Sequence, residues 1–597
     1  MCLIRTLRIA VAIIFVLLPA QVVLGQAVPV ELVETTHGQW QLLRAGEPYD
    51  IKGAGGDASK ELLAAAGANA FRTWGVGPEL GEQLDQAQEL GLTVVVGHWL
   101  GHPRHGFDYN DLDMVAEQFE RVREDVLAYR DHPALLLWAV GNEMEGFAEG
   151  DDAAVWSHVQ ALAAMIKDLD PNHPTMTVTA EIGGSRVRAV HELCPDIDIM
   201  GINSYGGLPS VPERYRELGG SKPIVITEFG PPGTWEIAMT DFGAPPELTS
   251  TEKAAVYRDA YTAGCLEAGG LCLGGFAFAW GFKVEATSTW YGMFLPSGDK
   301  LAAVDAMTEV WSGQPAADLC PEILSFGLRG PDVVQPGDAV HVDLDIVDPE
   351  GTDVDVKWIV TGEVDEYNTG GDGNPAPLEL DGIITASSPE GATLVMPGGG
   401  VYRLYMTASD GTGGGAAANV PIKVDGPAGQ VRVKLPLAVY ADGSSSPWVP
   451  SGWMGTHDAL TMDAECTDSP HTGEHCLKFV YDEPGMWVGV SWQHPANDWG
   501  ELPGGFDLTG ATRLTFWARG KEGGETIDFA LGILGTDKPY HDTAKAERKG
   551  VELKREWKRY SIDLDGEDLS RIKTPFVWTL DGHGRPVTFY LDDIRFE

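Results

Sequence analysis

Basic side chains are scarce in this chain: 42 Lys and Arg stand against 88 Asp and Glu, for a formal net charge of -46 over 597 residues. A surface of that sign repels phosphate backbones, so nucleic acid is excluded as a natural partner, and a solvated, extracellular type of surface accounts for most of the charge. Long apolar runs are also missing after the first 25 residues, and no later segment approaches the length needed to span a membrane. Cysteine is sparse. Beyond Cys2 there are Cys194, Cys265, Cys272, Cys320, Cys466 and Cys476, whose spacings resemble no zinc cluster. No glycine-rich phosphate loop follows the first strand-like run, which lowers the case for a nucleotide-binding open sheet.

The amino terminus reads MCLIRTLRIAVAIIFVLLPAQVVLGQA, with Arg5 and Arg8 before an apolar run and small residues near Gly25. This is the layout of a signal peptide over residues 1–27 and predicts a secreted or periplasmic protein. Export permits disulfides, and the closeness of Cys466 and Cys476 predicts a local pair. The length is too great for one core and predicts two to four domains.

Residues 28–313 alternate short apolar runs with amphipathic helical stretches. The runs lie at 51–55, 70–74, 92–99, 134–141, 176–180, 197–202, 223–227 and 274–280. Eight such runs predict a closed (β/α)8 TIM barrel. Residues 314–428 switch to period-two alternation broken by Gly, Asp and Pro, which predicts an immunoglobulin-like β-sandwich acting as a spacer or packing partner. The stretch GTGGGAAA at 411–418 reads as a flexible turn. Residues 429–597 again read as strands and predict a jelly-roll β-sandwich.

In a parallel barrel the reactive groups stand beyond the C-terminal ends of the strands. Glu143 follows the fourth run and Glu228 the seventh, so the two would face each other across the barrel mouth. Two facing carboxylates are what cleavage of a glycosidic bond requires: one protonates the leaving oxygen, and the other attacks the anomeric carbon or activates water. The alternative for either residue alone is an ordinary surface loop glutamate.

WAVGNEMEG (138–146) together with PIVITEFG (223–230) resembles the large clan of retaining glycoside hydrolases that place Asn-Glu after strand four and Glu after strand seven. The resemblance implies that Glu143 is the acid/base and Glu228 the nucleophile of a covalent glycosyl intermediate. It implies that Asn142 binds the sugar 2-hydroxyl, that Arg72 holds the nucleophile ionised, and that Tyr205 donates to it. His98 and Trp99 at the end of strand three and Trp280 at the end of strand eight are expected to contact sugar, Trp280 as the flat platform under a pyranose ring. Each has a plainer alternative, as a salt bridge or as core packing. For the loop aromatics Trp74, Trp235 and Trp290, packing and sugar contact are equally open. Glu145 and Glu181, also near strand ends, are expected to be sugar ligands or solvated residues that oppose ionisation of Glu143.

The segment at 274–294 is similar to the strand-eight region of fungal wall β-1,3-glucan transferases, which points to a β-linked polysaccharide or oligosaccharide as substrate, a β-glucan first, with the β-1,3-linkage as a candidate. Transglycosylation and noncatalytic polysaccharide binding are the competing functions. The C-terminal module resembles the jelly-roll carbohydrate-binding modules of polysaccharide hydrolases, with FYLDDIRFE (589–597) its typical ending and Trp499 its exposed stacking candidate. Such sandwiches often hold a structural Ca2+, to which Asp592 and Asp593 would contribute. No cofactor is expected for catalysis, and no metal-ligand set is assigned.

Overall fold

The computed structural model describes residues 26–146, 149–364, 367, 376–427, 429–442, 446–483, 485–582 and 584–597. Most of the expected leader, residues 1–25, lies outside the described residues.

The eight expected apolar runs all become parallel strands of one closed barrel: β1 (Ile51–Gly55), β2 (Ala70–Arg72), β3 (Thr93–His98), β4 (Leu135–Asn142), β5 (Thr175–Ala180), β6 (Ile199–Asn203), β7 (Ile224–Phe229) and β8 (Cys272–Phe278). Their residues are almost wholly buried because each strand is covered by a helix outside and by its opposite strands inside. The barrel interior is filled by Ile51, Val95, Leu137, Met176, Ile199, Val225 and Phe276. Gly53 is required there, since a Cβ would stand 2.5 Å from the Phe276 ring.

The helices are α1 (Lys60–Ala65), α2 (Leu80–Leu90), α3 (Leu112–Tyr129), α4 (Ala153–Leu169), α5 (Arg186–Leu193), α6 (Val211–Glu217), α7 (Ser250–Tyr261) and α8 (Ala302–Ser312). Leu84 and Ala87 of α2, and Val122 and Val126 of α3, face inward at helical spacing. An amino-terminal meander, Val30–Thr36, Gln39–Arg44 and Glu47–Pro48, caps the far end of the barrel from the active loops, with Val30 and Leu42 joining the interior core. That leaves only the C-terminal ends of the strands open.

Beyond Gly313 come two further modules, each of two sheets. In the first, a four-stranded sheet faces a five-stranded one across Val340, Val342, Leu394, Leu404 and Ile422. The expected flexible turn at 411–418 is only partly a turn. Asp410 Oδ1 accepts from the backbone N–H groups of Thr412, Gly413 and Gly414, and from Gly415 the chain is strand, with Ala416, Ala417 and Ala418 buried. Small side chains are needed there because α7 packs on this strand, with Ser250 Oγ accepting from Ala417 N.

The module is more than a spacer. Arg403 is fully buried, paired with Glu363 at 2.6 Å, and donates to Asn419 Oδ1 (2.6 Å) and to the Pro245 carbonyl (3.0 Å) of the barrel. Asn419 in turn donates to Glu247 (2.5 Å) and Thr289 (3.0 Å). Glu247 is also held by Lys253 (2.5 Å), Thr287 (2.5 Å) and Thr289 (2.8 Å). Burial would raise the Glu247 pKa, but Lys253 and these hydrogen bonds carry it below the usual range. The loops after β7 and β8 are thereby tied to the sandwich.

The last module pairs a six-stranded sheet with a five-stranded sheet around Phe479, Trp492, Phe516, Phe529 and Trp578. Cys466 and Cys476 stand opposite each other in antiparallel register, yet both are free thiols, and the Cys476 thiol is turned onto the Cys466 carbonyl at 3.5 Å. The expected disulfide is therefore absent from the structure. The carboxylates of Asp592 and Asp593 are engaged by the 471–472 turn: Asp592 accepts from His471 N and Thr472 N, and Asp593 from the His471 ring, Thr472 Oγ1 and Arg595. Among the described residues no three His, Cys, Asp or Glu side chains gather as a metal-holding group. Trp499 is half-buried, while Trp487 is 45% exposed.

Candidate active site

A groove of about 1200 Å3 opens at the C-terminal ends of the strands and takes lining residues from all eight strand-to-helix loops. Glu143 and Glu228 both line it. Glu143 directly follows β4 and Glu228 is the penultimate residue of β7, so the two carboxylates are set by buried apolar strands of the rigid part of the fold. Glu143 sits just past β4 with φ +52, a left-handed conformation uncommon for a side chain of this size, held by a bond from its N–H to the Val178 carbonyl at 2.9 Å.

The two glutamates have opposite surroundings. Glu228 accepts from three donors: the Trp74 indole N–H (2.8 Å) and Arg72 (3.3 Å) on Oε1, and the Tyr205 hydroxyl (2.8 Å) on Oε2. Glu143 has one donor, Asn203 Nδ2 at 2.7 Å. Burial, and then the nearby Glu228 charge, push its pKa up to about 8. Near neutral pH Glu143 is therefore held in its protonated form beside Glu228.

Arg72 is 2% exposed and also donates to Asn142 Oδ1 (2.9 Å) and the Thr227 carbonyl (2.9 Å). Burial lowers its pKa, and the Glu228 and Glu143 charges oppose that. Asn142 lines the groove with its Oδ1 taken by Arg72 and Asn203 (3.3 Å). Tyr205 is placed as expected, and burial, with the Glu228 charge, keeps its hydroxyl protonated and able to donate. Trp99 lines the groove and is 41% exposed.

Two expected sugar contacts stand elsewhere. His98 is buried, stacked on Trp138 at 5.3 Å with Asp125 at 3.6 Å from Nδ1, and does not line the groove. The reason is the pleat: as the last residue of β3 it points away from the mouth into the helical layer. Trp280 is fully buried between Phe294 and Trp311, donates its indole N–H to the Ser59 carbonyl (3.1 Å), and is core rather than a platform. The neighbouring Phe278, Gly281 and Phe282 line the groove in its place.

Two residues of the site escaped the sequence reading. Asn203 donates to Glu143 while its Oδ1 accepts from Thr227 Oγ1 (2.7 Å) and Arg72 (3.4 Å). Its position as the last residue of β6 was the available signal. Trp74, read as an open choice between packing and sugar contact, donates its indole N–H to Glu228. Trp290 is buried, and Trp235 is 55% exposed on the groove wall. Glu145 is buried and held by Arg186 (2.9 Å) and the Ala180 N–H (2.7 Å), and burial raises its pKa. Glu181 is clamped by both Arg214 nitrogens at 3.0 and 3.2 Å. Both are therefore committed to protein partners.

Residues 57–235, a span that contains Glu143 and Glu228, match the family described as "Glycosyl hydrolases family 2, TIM barrel domain". The barrel is glycosidase-like. Curated relatives include the β-glucuronidase of Streptococcus agalactiae, 25% identical over 257 residues that cover 35% of this chain and 41% of that protein. The β-glucuronidase of Sus scrofa is 30% identical over 209 residues, covering 31% of this chain and 29% of that one. The chain thus spans less than half the length of these relatives. Among solved structures, the endo-β-1,4-mannanase of Thermotoga petrophila aligns at 14% identity and TM-score 0.32, covering 63% of this chain and 98% of that one.

Proposed function

We propose that the protein is a retaining glycoside hydrolase that cleaves a β-linked glycan by double displacement. The observation that carries this reading is the contrast between two neighbouring glutamates: Glu143 stays protonated up to a pKa of about 8, while Glu228 is surrounded by the donors of Arg72, Trp74 and Tyr205. In the first step Glu143 gives its proton to the leaving glycosidic oxygen as the Glu228 carboxylate attacks the anomeric carbon, forming a glycosyl ester. In the second, the Glu143 carboxylate takes a proton from water, which attacks the same carbon and releases Glu228. Asn203 steadies Glu143 through both steps, donating to an oxygen that does not need to carry the proton.

The family match over residues 57–235 supports the class of reaction. We assign the glycan to the β-glucans, with a β-1,3-linkage as the first to be tried, on the likeness of residues 274–294. The curated relatives add aryl β-D-glucuronides to the panel. The amino-terminal leader makes this an exported enzyme, and the C-terminal module, with the half-buried Trp499 and exposed Trp487, is read as carbohydrate-binding.

The test is to incubate the protein and its Glu228→Gln variant with β-1,3-glucan, β-1,4-glucan, mannan, xylan and an aryl β-D-glucuronide, following products by chromatography and the configuration of the first-formed product by NMR. The expected result is cleavage of at least one substrate with retained configuration, and a loss of at least about 100-fold in the variant. Products longer than the starting oligosaccharide identify transglycosylation. Tight binding of one glycan without turnover of any overturns the enzymatic reading in favour of a binding protein.

A further inference from the structure

A site that removes one terminal sugar needs a pocket closed on one side of its carboxylate pair. The groove here is not built that way. Its volume of about 1200 Å3 lies above the roughly 300–1000 Å3 of ordinary small-molecule sites, and it has lining residues on both sides of the pair. Strands β4 and β7 carry Glu143 and Glu228, so the barrel circle is divided by them into a β5–β6 side and a β8–β1–β2–β3 side.

On the first side stands Trp235. Its ring packs edge-on against Tyr205 of the β6 loop at 6.1 Å, and the next residue, Glu236, accepts the N–H groups of Gly206 (2.9 Å) and Gly207 (3.0 Å), which pins this turn to the β6 loop. On the second side the lining runs past Trp99 and out over the two helices α1 and α2, where Lys60, Gln83 and Gln86 line the same groove. A groove that leaves the barrel mouth and passes over flanking helices is longer than one pyranose ring requires.

The aromatic exposure agrees. Among the described residues of the barrel, the exposed large aromatic side chains are Trp99 (41%), Trp235 (55%) and Phe282 (38%), and all three line this groove. The other Phe, Trp and Tyr rings among the described residues of the barrel are buried or half-covered. Flat rings left open to water along a cleft are the surface on which the apolar faces of sugar rings stack.

Resting on the glycosidase reading above, we propose that the protein binds a glycan chain along this groove with sugar units seated on both sides of Glu143 and Glu228, and cuts it at internal linkages. Trp235 carries units on one side. Trp99 and Phe282, with the hydrogen-bonding Gln83 and Lys60 arm beyond, carry them on the other. The ligand class is a β-linked oligosaccharide of at least four units, not a single terminal sugar.

The experiment uses the whole chain and reducing-end-labelled oligosaccharides of two to seven units, in the β-1,3-gluco, β-1,4-gluco and β-1,4-manno series. Product mapping with the active protein is expected to show cuts at internal bonds, with kcat/KM rising at least tenfold between two and five units. Stepwise release of single sugars at a rate independent of length beyond two units overturns the proposal. The same ladders are titrated calorimetrically into the Glu228→Gln variant, whose affinity is expected to rise with length in the preferred series. Adding Trp235→Ala in that background is expected to weaken binding of the longest ligand by roughly threefold to tenfold, the range for one aromatic contact. Affinity that stops rising at two units overturns the groove assignment. Length-dependent binding with no cleavage of any ladder by the active protein supports the groove and overturns the glycosidase reading instead.

Discussion

A buried carboxyl kept neutral at pH 7 is paid for in stability, and Glu143 shows in which direction. Its folded pKa of about 8 lies above the ordinary value of 4.5, so between those two the folded protein holds a proton that the unfolded chain has released. The stabilising contribution is therefore fully present below about pH 4.5 and is lost as the pH rises through 8. Thermal melts are expected to show the wild type losing more Tm than Glu143→Gln between pH 5 and 9, and kcat/KM is expected to fall above about pH 8 as the acid loses its proton. A basic limb that does not respond to Glu143→Gln would remove that residue from the acid role. The second residue-scale expectation concerns Trp74. Trp74→Phe keeps the ring and deletes one hydrogen bond to a charged oxygen, so kcat is expected to fall roughly tenfold to a hundredfold with KM little changed. A change confined to KM would make Trp74 a sugar platform only.

At the scale of elements, helix caps fix where two of the loops that carry the site end. The long segment after β7 ends at Thr249, whose hydroxyl accepts from Glu252 N (3.2 Å) while the Glu252 carboxylate accepts from Thr249 N (2.8 Å), a reciprocal capping box that starts α7. Thr249→Ala is expected to cost about 1 kcal/mol in urea unfolding, because the Glu252 amide loses its acceptor at the helix start. Asp152 caps α4 with its side chain alone, accepting from Ala154 N at 2.9 Å after the loop that follows Glu143. The strand ends matter in another way. A residue one place earlier or later along β3 or β8 turns from the groove into the helical layer, which is why Trp99 lines the site and His98 does not.

For the whole molecule, the Arg403, Glu363, Asn419 and Glu247 network joins the barrel to the middle sandwich and predicts that the two unfold together. Arg403→Met leaves Glu363 buried without its cation, a loss of about 3–5 kcal/mol by analogy with other broken buried pairs. Calorimetry is expected to show the coupled transition of barrel and sandwich in the wild type splitting in this variant. Because Asn419 also holds Thr289 in the loop after β8, which carries Lys283 and Glu285 into the groove, activity is expected to fall before the barrel itself melts. A single unshifted transition would show that the network contributes little.

Much of this was legible in the chain itself. Eight buried strands announce themselves as apolar runs because each is covered on both faces, and the positions of Glu143, Glu228, Arg72 and Tyr205 follow from which residue comes next after a run. What the sequence left open was everything that depends on the direction a side chain takes after its strand ends. Whether Trp74 donates to a carboxylate, whether Trp280 is platform or core, and whether Asn203 reaches Glu143 turn on contacts between residues up to 221 positions apart. The free thiols of Cys466 and Cys476, and the tie between sandwich and barrel, were equally invisible. Local periodicity reports burial, which is a property of each segment. Partnership is a property of the closed barrel, and only the tertiary structure decides it.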